Sequence, residues 1–468
     1  MTDSPERERT GRAQPDQTLK PEFPAKPRGD SSANIRQLAI DAALWGTPIV
    51  SVYAMREAFL RDAGAKYGDL VYLSRFADWK FQLTTPNAST RYVFAFFNLK
   101  KNGPIVLDIP VADGAGLFGS ILDAWQVPLE DIGPEGADQG RGGTYLLLPP
   151  GHEDAVDGGY IAVPSETFNV YAAFRAISEG SSPPAVERAL DLIKQIKVYP
   201  LSRANDDTET RAIDIAGKLF DGIMHYDDTF YESLAKMIDE EPAMLHDREM
   251  LGKLKSLGIE KGKGFSPTPE VRAELKGAAN EARSKLMASL PKSGESFWPS
   301  SSWQIGNPAG PETGFTFVKN GKLDVEARAL MYFLACAPPK NLGKASMYLA
   351  AYVDSSGAPL VGNGSYRLRL PANPPAEQFW ALTVYDMETC AFIRGSPKVE
   401  VNSYHKGLEL NSDGSIDLYL SATAPNGKEA NWIALAVGQP WFALLRFYGP
   451  KEALFEKSWT APDIAKIG

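Results

Sequence analysis

Apolar positions change their period along the chain. In NIRQLAIDAALW, Ile35, Leu38, Ala42 and Trp45 recur at helical spacing. Gly46, Thr47 and Pro48 interrupt the pattern. A second helical stretch, IVSVYAMREAFLRDAG, then closes at Gly64, a C-cap residue type. From about Asp69 to Ile177 the runs are TRYVFAFFNL, GPIVLDIPV, GTYLLLPP and YIAVPSETFNVYAAF. They are short, β-branched and aromatic, with Pro, Gly and Asn between them, which is strand texture. Helical spacing returns in PPAVERALDLIKQIK and in DDTFYESLAKMIDEE, where Asp228 or Thr229 stands at the N-cap and Glu232 at the capping-box position. SPTPEVRAELKGAANEARSKLMASL is the clearest helix, with Thr268 to cap it and Pro269 at its first position. DVEARALMYFLACA follows. In the last third, Tyr366, Leu368 and Leu370 alternate with Arg367 and Arg369, and Ile416, Leu418 and Leu420 with Asp417 and Tyr419. Such alternation implies one buried face and one wet face. QFWALTVYD, NWIALAV and WFALLRFYG add apolar strands.

These elements predict an α+β, β-dominated chain: two antiparallel β-sandwich or jelly-roll-like domains with a helical segment between them. The expected divisions are a disordered tail over 1–30, helices plus a first β domain over 31–180, a mainly helical connection over 181–330 and a C-terminal β-sandwich over 331–468. The helices of the connection suit a layer over one face of a sheet.

At 468 residues the chain exceeds what one core usually serves, and 44% apolar with 23% charged residues is an ordinary globular balance. A net charge of −9 without a basic cluster argues against nucleic acid or an anionic membrane surface as partner. The N-terminal stretch lacks the apolar core of a secretion signal, and no apolar run reaches membrane-spanning length. A soluble, cytoplasmic protein is the expectation. Cys336 and Cys390 leave one disulfide open; both lie in apolar surroundings, which favours two buried thiols.

Gly114, Gly116 and Gly119 spell G-x-G-x-x-G after a strand-like run. A dinucleotide site also needs a following helix inside a βαβ unit. Here Pro128 and then GPEGADQGRGG follow, so a glycine-rich turn between strands is expected and no nucleotide cofactor. His152, His225, His246 and His405 form no metal-binding spacing, and no metal is expected. No G-x-S-x-G elbow appears.

TTPNASTRYVFAFFNLKKNGPIVLDIP, then DAW and DIGPEGADQGRGGTYLLLPPG, resemble the first domain of a bacterial two-domain family. The family pairs domains of unknown function numbered twelve-fifty-four and twelve-fourteen. The second domain is resembled by YRLRLPANPPAEQFWALTVYDMETCAFI, DGSIDLYLSATAPNGKEANWI and WFALLRFYGPKEALFEKSW. The resemblance runs from about Ala39 to Trp459. It implies two β-sandwich-like domains plus helices and a self-associated state, and no known reaction. Where the family carries an Asp two residues after TPN, this chain has Ser89. Where some members carry an Arg-Tyr pair after the FWALTVYD strand, it reads SPKVEVNSYH, so no role for that Arg carries over.

Candidate chemistry is sparse. Asn87 either makes an Asx-turn at a strand entry or belongs to a polar loop with Arg91 and Tyr92, where Arg91 would fork a carboxylate. Asp123, beside Trp125, is either a hydrogen-bonded structural carboxylate or a general base of raised pKa. Asp386 ends a strand as turn formers do. His405, in NSYHKG, is an exposed loop histidine or an acid/base group. Arg446 interrupts LLRFY, so it faces water or is paired. Trp432, with Glu429 and Asn431, either orients a ligand or marks a domain seam. Arg141 in its glycine-rich loop could hold an anion. Together these suggest a homo-oligomeric protein with a small-molecule or oligomer-fragment pocket. One reading is a hydrolase or lyase with Asp123 as base, Asp386 and His405 as further acid/base candidates, and Arg91 and Arg446 as clamps. Asn87, Tyr92, Trp125 and Trp432 would help to bind the substrate. The other reading is a non-catalytic ligand-binding or self-assembling protein.

Overall fold

The computed structural model describes residues 31–152, 158–180, 182–206, 209–305, 309–341 and 346–468. The tail expected over 1–30 lies outside them.

The first β domain pairs two sheets. The larger runs in the order Ala212–Asp214, Leu70–Tyr72, Arg91–Asn98, Asn169–Ser178, Ala115–Asp123 and Pro128–Ile132, and the smaller in the order Lys197–Pro200, Ile105–Ile109, Gly143–Leu148 and Ile161–Pro164. Val93, Ala95, Phe97, Ala172 and Phe174 on one sheet bury against Leu107, Ile109, Tyr145 and Leu147 on the other. The opposite face of the larger sheet carries Phe94, Phe96, Tyr171 and Leu122 into a second core shared with four helices, Ser31–Arg61, Thr229–Glu240, Pro269–Ser289 and Val325–Leu334. The sheet is therefore buried on both faces, which is why its strands read as nearly continuous apolar runs.

The second domain is also a two-layer sandwich. Its larger sheet has the order Gln304–Ile305, Ser346–Ala351, Trp441–Pro450, Ala376–Asp386 and Glu400–Asn402, and the other has Trp432–Ala434, Ile416–Ser421, Tyr366–Leu370 and Ala465–Lys466. Leu368 and Leu370 point inward, and Arg369 on the wet face pairs with Asp417 on the facing strand at 2.8 Å.

Several expectations need correction. The break at Pro48 is absent: Ser31–Arg61 is one helix of 31 residues. Thr47 Oγ1 donates to the Ala43 carbonyl, Arg328 donates to the Trp45 carbonyl, and the helix is held from most sides, so tertiary packing outweighs the lost backbone bond. Gly46 belongs there because a Cβ would stand 2.9 Å from Leu234. This helix is long and apolar enough to cross a membrane, and 72% of its most apolar window is buried inside the fold. The connection is less helical than expected. Lys197–Pro200 and Ala212–Asp214 complete the first domain's sheets and Gln304–Ile305 joins the second domain, strands too short to show a period. Gly116 and Gly119 lie within a strand, not a turn; a Cβ on Gly119 would meet the Ala173 carbonyl at 2.2 Å. An antiparallel strand, Pro128–Ile132, follows this strand with no crossover helix, so the dinucleotide geometry is absent. Glu232 does not close a capping box; it and Asp228 hold Arg272. Both cysteines are free, with Cys390 buried and Cys336 half-buried.

Candidate functional site

The face of the first domain's larger sheet extends past its helical cover, where Phe118, Arg175 and Tyr92 stand in one cross-strand row. The second domain brings up the outer face of its own larger sheet. There Tyr348, Arg446, Ala381 and Asn402 form another row. Residues 84–90 run along this seam. Asn87 Oδ1 accepts from the N–H groups of Ser89 and Thr90, an Asx-turn that fixes the strand entry, and its own N–H donates to Tyr92 Oη at 2.8 Å.

Across the seam Tyr385, Phe392, Phe442 and Leu444 of the second domain join the helical core of the first, and beside them runs a set of polar, directional contacts. Arg446 Nη2 donates to the Thr85 carbonyl at 3.0 Å and Nη1 to Thr383 Oγ1 at 2.8 Å. Thr383 Oγ1 donates to Glu400 Oε2 at 2.8 Å, and the same carboxylate oxygen accepts from the Ala88 N–H at 3.1 Å. Glu400 Oε1 accepts from Asn402 Nδ2. Tyr385 Oη donates to the Pro86 carbonyl. Thr85, a β-branched residue, is held at φ 41° and Cys390, which receives its N–H, at φ 54°. Backbone in this region is costly for such residues and persists where surrounding contacts impose it.

Beside this network opens a cleft of about 200 Å³. Ala77, Asp78, Trp79 and Ala88 of the first domain face Lys398, Glu400 and His405 of the second. Burial, with the neighbouring Lys398 charge, holds His405 below its ordinary pKa, so its imidazole is neutral at pH 7. Burial also lowers Lys398, whose ammonium donates to the Glu429 and Ala430 carbonyls.

Asn87, Tyr92, Arg446 and His405 thus gather at one seam. The other candidates stand elsewhere. Asp123 is buried beneath the helices, where its Oδ1 accepts from the N–H groups of Trp125 and Val127. Burial pushes its pKa up to about 7 against those two bonds. Arg328, not Arg446, is the arginine beside it, lying 4.8 Å from the Trp125 ring. Arg91 sits six residues from Asp123 along the sheet, since their rows fall at Ala176 and Val170, which is about 20 Å. It donates to the Ser74 carbonyl and lies over Phe76. Asp386 caps a turn, accepting from the N–H groups of Glu388 and Thr389. Trp432 donates to the Ser421 carbonyl inside the second domain. Arg141 donates to the Gln139 side chain, and buried Asp138 braces its loop through the Gly133 N–H. The sequence reading missed Glu400, Thr383 and Arg175. Glu400 and Arg175 carry the signal that marked Arg446, a charge inside an apolar strand, in KVEVN and YAAFRAIS.

Fold and seam define a class: two β-sandwich domains, one backed by helices, meeting along a polar network with a cleft at its edge. Residues 68–200 match the family model described as Protein of unknown function (DUF1254), and residues 345–452 match Protein of unknown function (DUF1214). The chain belongs to the family that pairs these two domains. No curated protein matches it. Among solved structures it is similar to the VPA0106 protein from Vibrio parahaemolyticus, at 16% identity and a TM-score of 0.53 over 93% of this chain and 100% of that one. An uncharacterized protein from Burkholderia cenocepacia also matches, at 12% identity and a TM-score of 0.41 over 94% of each chain. The first likeness supports the fold.

Proposed function

We propose that this chain is a small-molecule-binding protein whose ligand sits in the interdomain cleft between Trp79 and His405. The observation that carries the reading is the cleft's construction. Its wall is a buried carboxylate, Glu400, fixed by three hydrogen bonds from both domains, and its rim offers an aromatic ring and a neutral imidazole. A concave site with apolar walls and a few fixed polar groups is the usual form of a ligand site. At about 200 Å³ it takes something smaller than a drug-sized molecule. Asp78, Glu400 and His405 beside Trp79 suit a neutral, hydroxyl-bearing compound. Two domains that share one hydrogen-bonded wall would feel the same ligand.

The geometry favours binding over carboxylate-driven hydrolysis or elimination. Asp123 and Arg91 stand too far apart to share a substrate, and the Asp123 carboxylate is engaged in its own turn. Native mass spectrometry of freshly purified protein, followed by ligand-observed NMR with a set of small polyols and hydroxy amides, tests the reading. Saturable binding that His405→Ala weakens supports it. An absence of binding together with a large stable assembly favours the structural alternative.

A further inference from the structure

The cleft between Trp79 and His405 has room, at about 200 Å³, and the polar atoms on its walls are only partly used. Glu400 is 3% exposed. Its Oε2 accepts from Thr383 Oγ1 and from the Ala88 N–H, and its Oε1 accepts from Asn402 Nδ2. A carboxylate has about four acceptor positions, so one is left on Oε1. Asp78 Oδ1 accepts from the Lys80 N–H at 2.8 Å, while Oδ2 has no partner among the described residues. On the donor side, the Asn402 N–H donates to His405 Nδ1 at 3.4 Å. A neutral imidazole that accepts at Nδ1 carries its proton on Nε2. That N–H has no partner among the described residues. Lys398 is already engaged, since its ammonium donates to the Glu429 and Ala430 carbonyls.

Two carboxylate acceptors and one imidazole donor are therefore open to whatever enters. The chemistry of the occupant follows from that set. An anion would meet both carboxylates. An ammonium would leave the His405 N–H without an acceptor and would stand against the Lys398 charge. A hydroxyl both donates and accepts, so two hydroxyls can answer the two carboxylates while one of them also accepts from His405. The small size of the cleft puts those hydroxyls on neighbouring carbons. The Trp79 indole adds a flat apolar surface with two stiff torsions, which suits the C–H face of a saturated ring.

We propose that the cleft binds a monosaccharide unit. A vicinal diol of its ring donates to Glu400 and Asp78 and accepts from His405 Nε2, and the C–H face of the ring packs on Trp79. This inference rests on the reading of the cleft as the ligand site and names the class of ligand it takes.

Calorimetric titration of the full chain tests it, with methyl α-D-mannopyranoside and methyl α-D-glucopyranoside to offer cis and trans diols. Cyclohexanol lacks the second hydroxyl, ethane-1,2-diol lacks the ring, and lactamide is a hydroxy amide without a diol. At least one glycoside should bind saturably, and cyclohexanol and ethane-1,2-diol should bind roughly tenfold more weakly, the worth of the group each lacks. Asp78→Asn keeps the acceptor for the Lys80 N–H and removes the charge. Asp78 is exposed, so the unliganded variant should melt as the wild type does, and its affinity for the glycoside should fall roughly three- to tenfold. Trp79→Leu should weaken the glycoside as well. If lactamide binds and His405→Ala weakens it while both glycosides fail, the sugar class is overturned and the cleft remains a ligand site. If no probe binds, both readings fall. Cyclohexanol binding as tightly as the glycosides, or a glycoside affinity unchanged in both variants, would also overturn the proposal.

Discussion

Two regions of this molecule bury an arginine among aromatic rings, and they do so differently. Arg328 lies under the helical layer between Trp125 and Trp45, with its Nη2 on the Trp45 carbonyl. Buried Asp247 and Asp123 both lie near enough to act on its charge, and burial pulls its pKa down to about 10. Its surroundings come from the helices and the sheet edge they cover, so the group is enclosed by what it stabilises. Arg446 lies at a boundary. Its two hydrogen bonds go to different domains, and open cleft lies on one side of its network. The difference teaches that a buried charge is a site candidate when its partners come from separate bodies and leave room, and a structural feature when one body closes around it.

Substitutions at the two arginines give the largest expected effects. Arg328→Ala should destabilise by about 3–5 kcal/mol in thermal or urea unfolding, because it removes the donor to the buried Trp45 carbonyl and leaves a cavity between two Trp rings. Arg446→Met should cost about 2–3 kcal/mol and also separate the unfolding of the two domains, since the bond to Thr85 crosses the seam. A single unaltered transition in calorimetry would contradict that coupling.

Asp123 comes next and separates a turn former from a base. Asp123→Ala should cost about 1–3 kcal/mol through two unsatisfied N–H groups. Asp123→Asn keeps the acceptor and should be nearly neutral. The sign with pH follows from the raised pKa. In the fold Asp123 keeps its proton to about 7, while unfolded it loses it near 3.9, so its contribution is full at low pH and is lost as pH rises towards 7. Wild type should therefore lose stability relative to Asp123→Asn between those values. Equal pH dependence of the two proteins would refute the assignment.

The smallest effect concerns His405. Its folded pKa lies below the unfolded value near 6.5, so its stabilising contribution is present above 6.5 and lost as pH falls through the folded value. A His405→Gln variant should show a slightly flatter stability profile below pH 6.5.

The sequence carried much of the architecture and little of the seam. Strands such as Arg91–Asn98 and Trp441–Pro450 were legible because their β-branched and aromatic runs are long and bounded by turns. The Asx-turn of Asn87 was legible because it is local. Pro48 misled because the groups that rescue the helix there, Arg328 among them, lie far along the chain. Glu400 carries the signal of a charge between apolar residues, but its strand is only three residues long and so does not stand out as a strand. Arg446 was recognised as a charge inside an apolar strand, but its partner Thr85 is 361 residues away, and no local pattern pairs the two.

The central claim is that function resides at the seam. Soaking crystals with a set of small hydroxylated fragments tests it most directly. The account predicts density between Trp79 and His405, in contact with the Glu400 wall. Fragments that leave this cleft empty and collect instead beside Asp123 and Arg328 would contradict it.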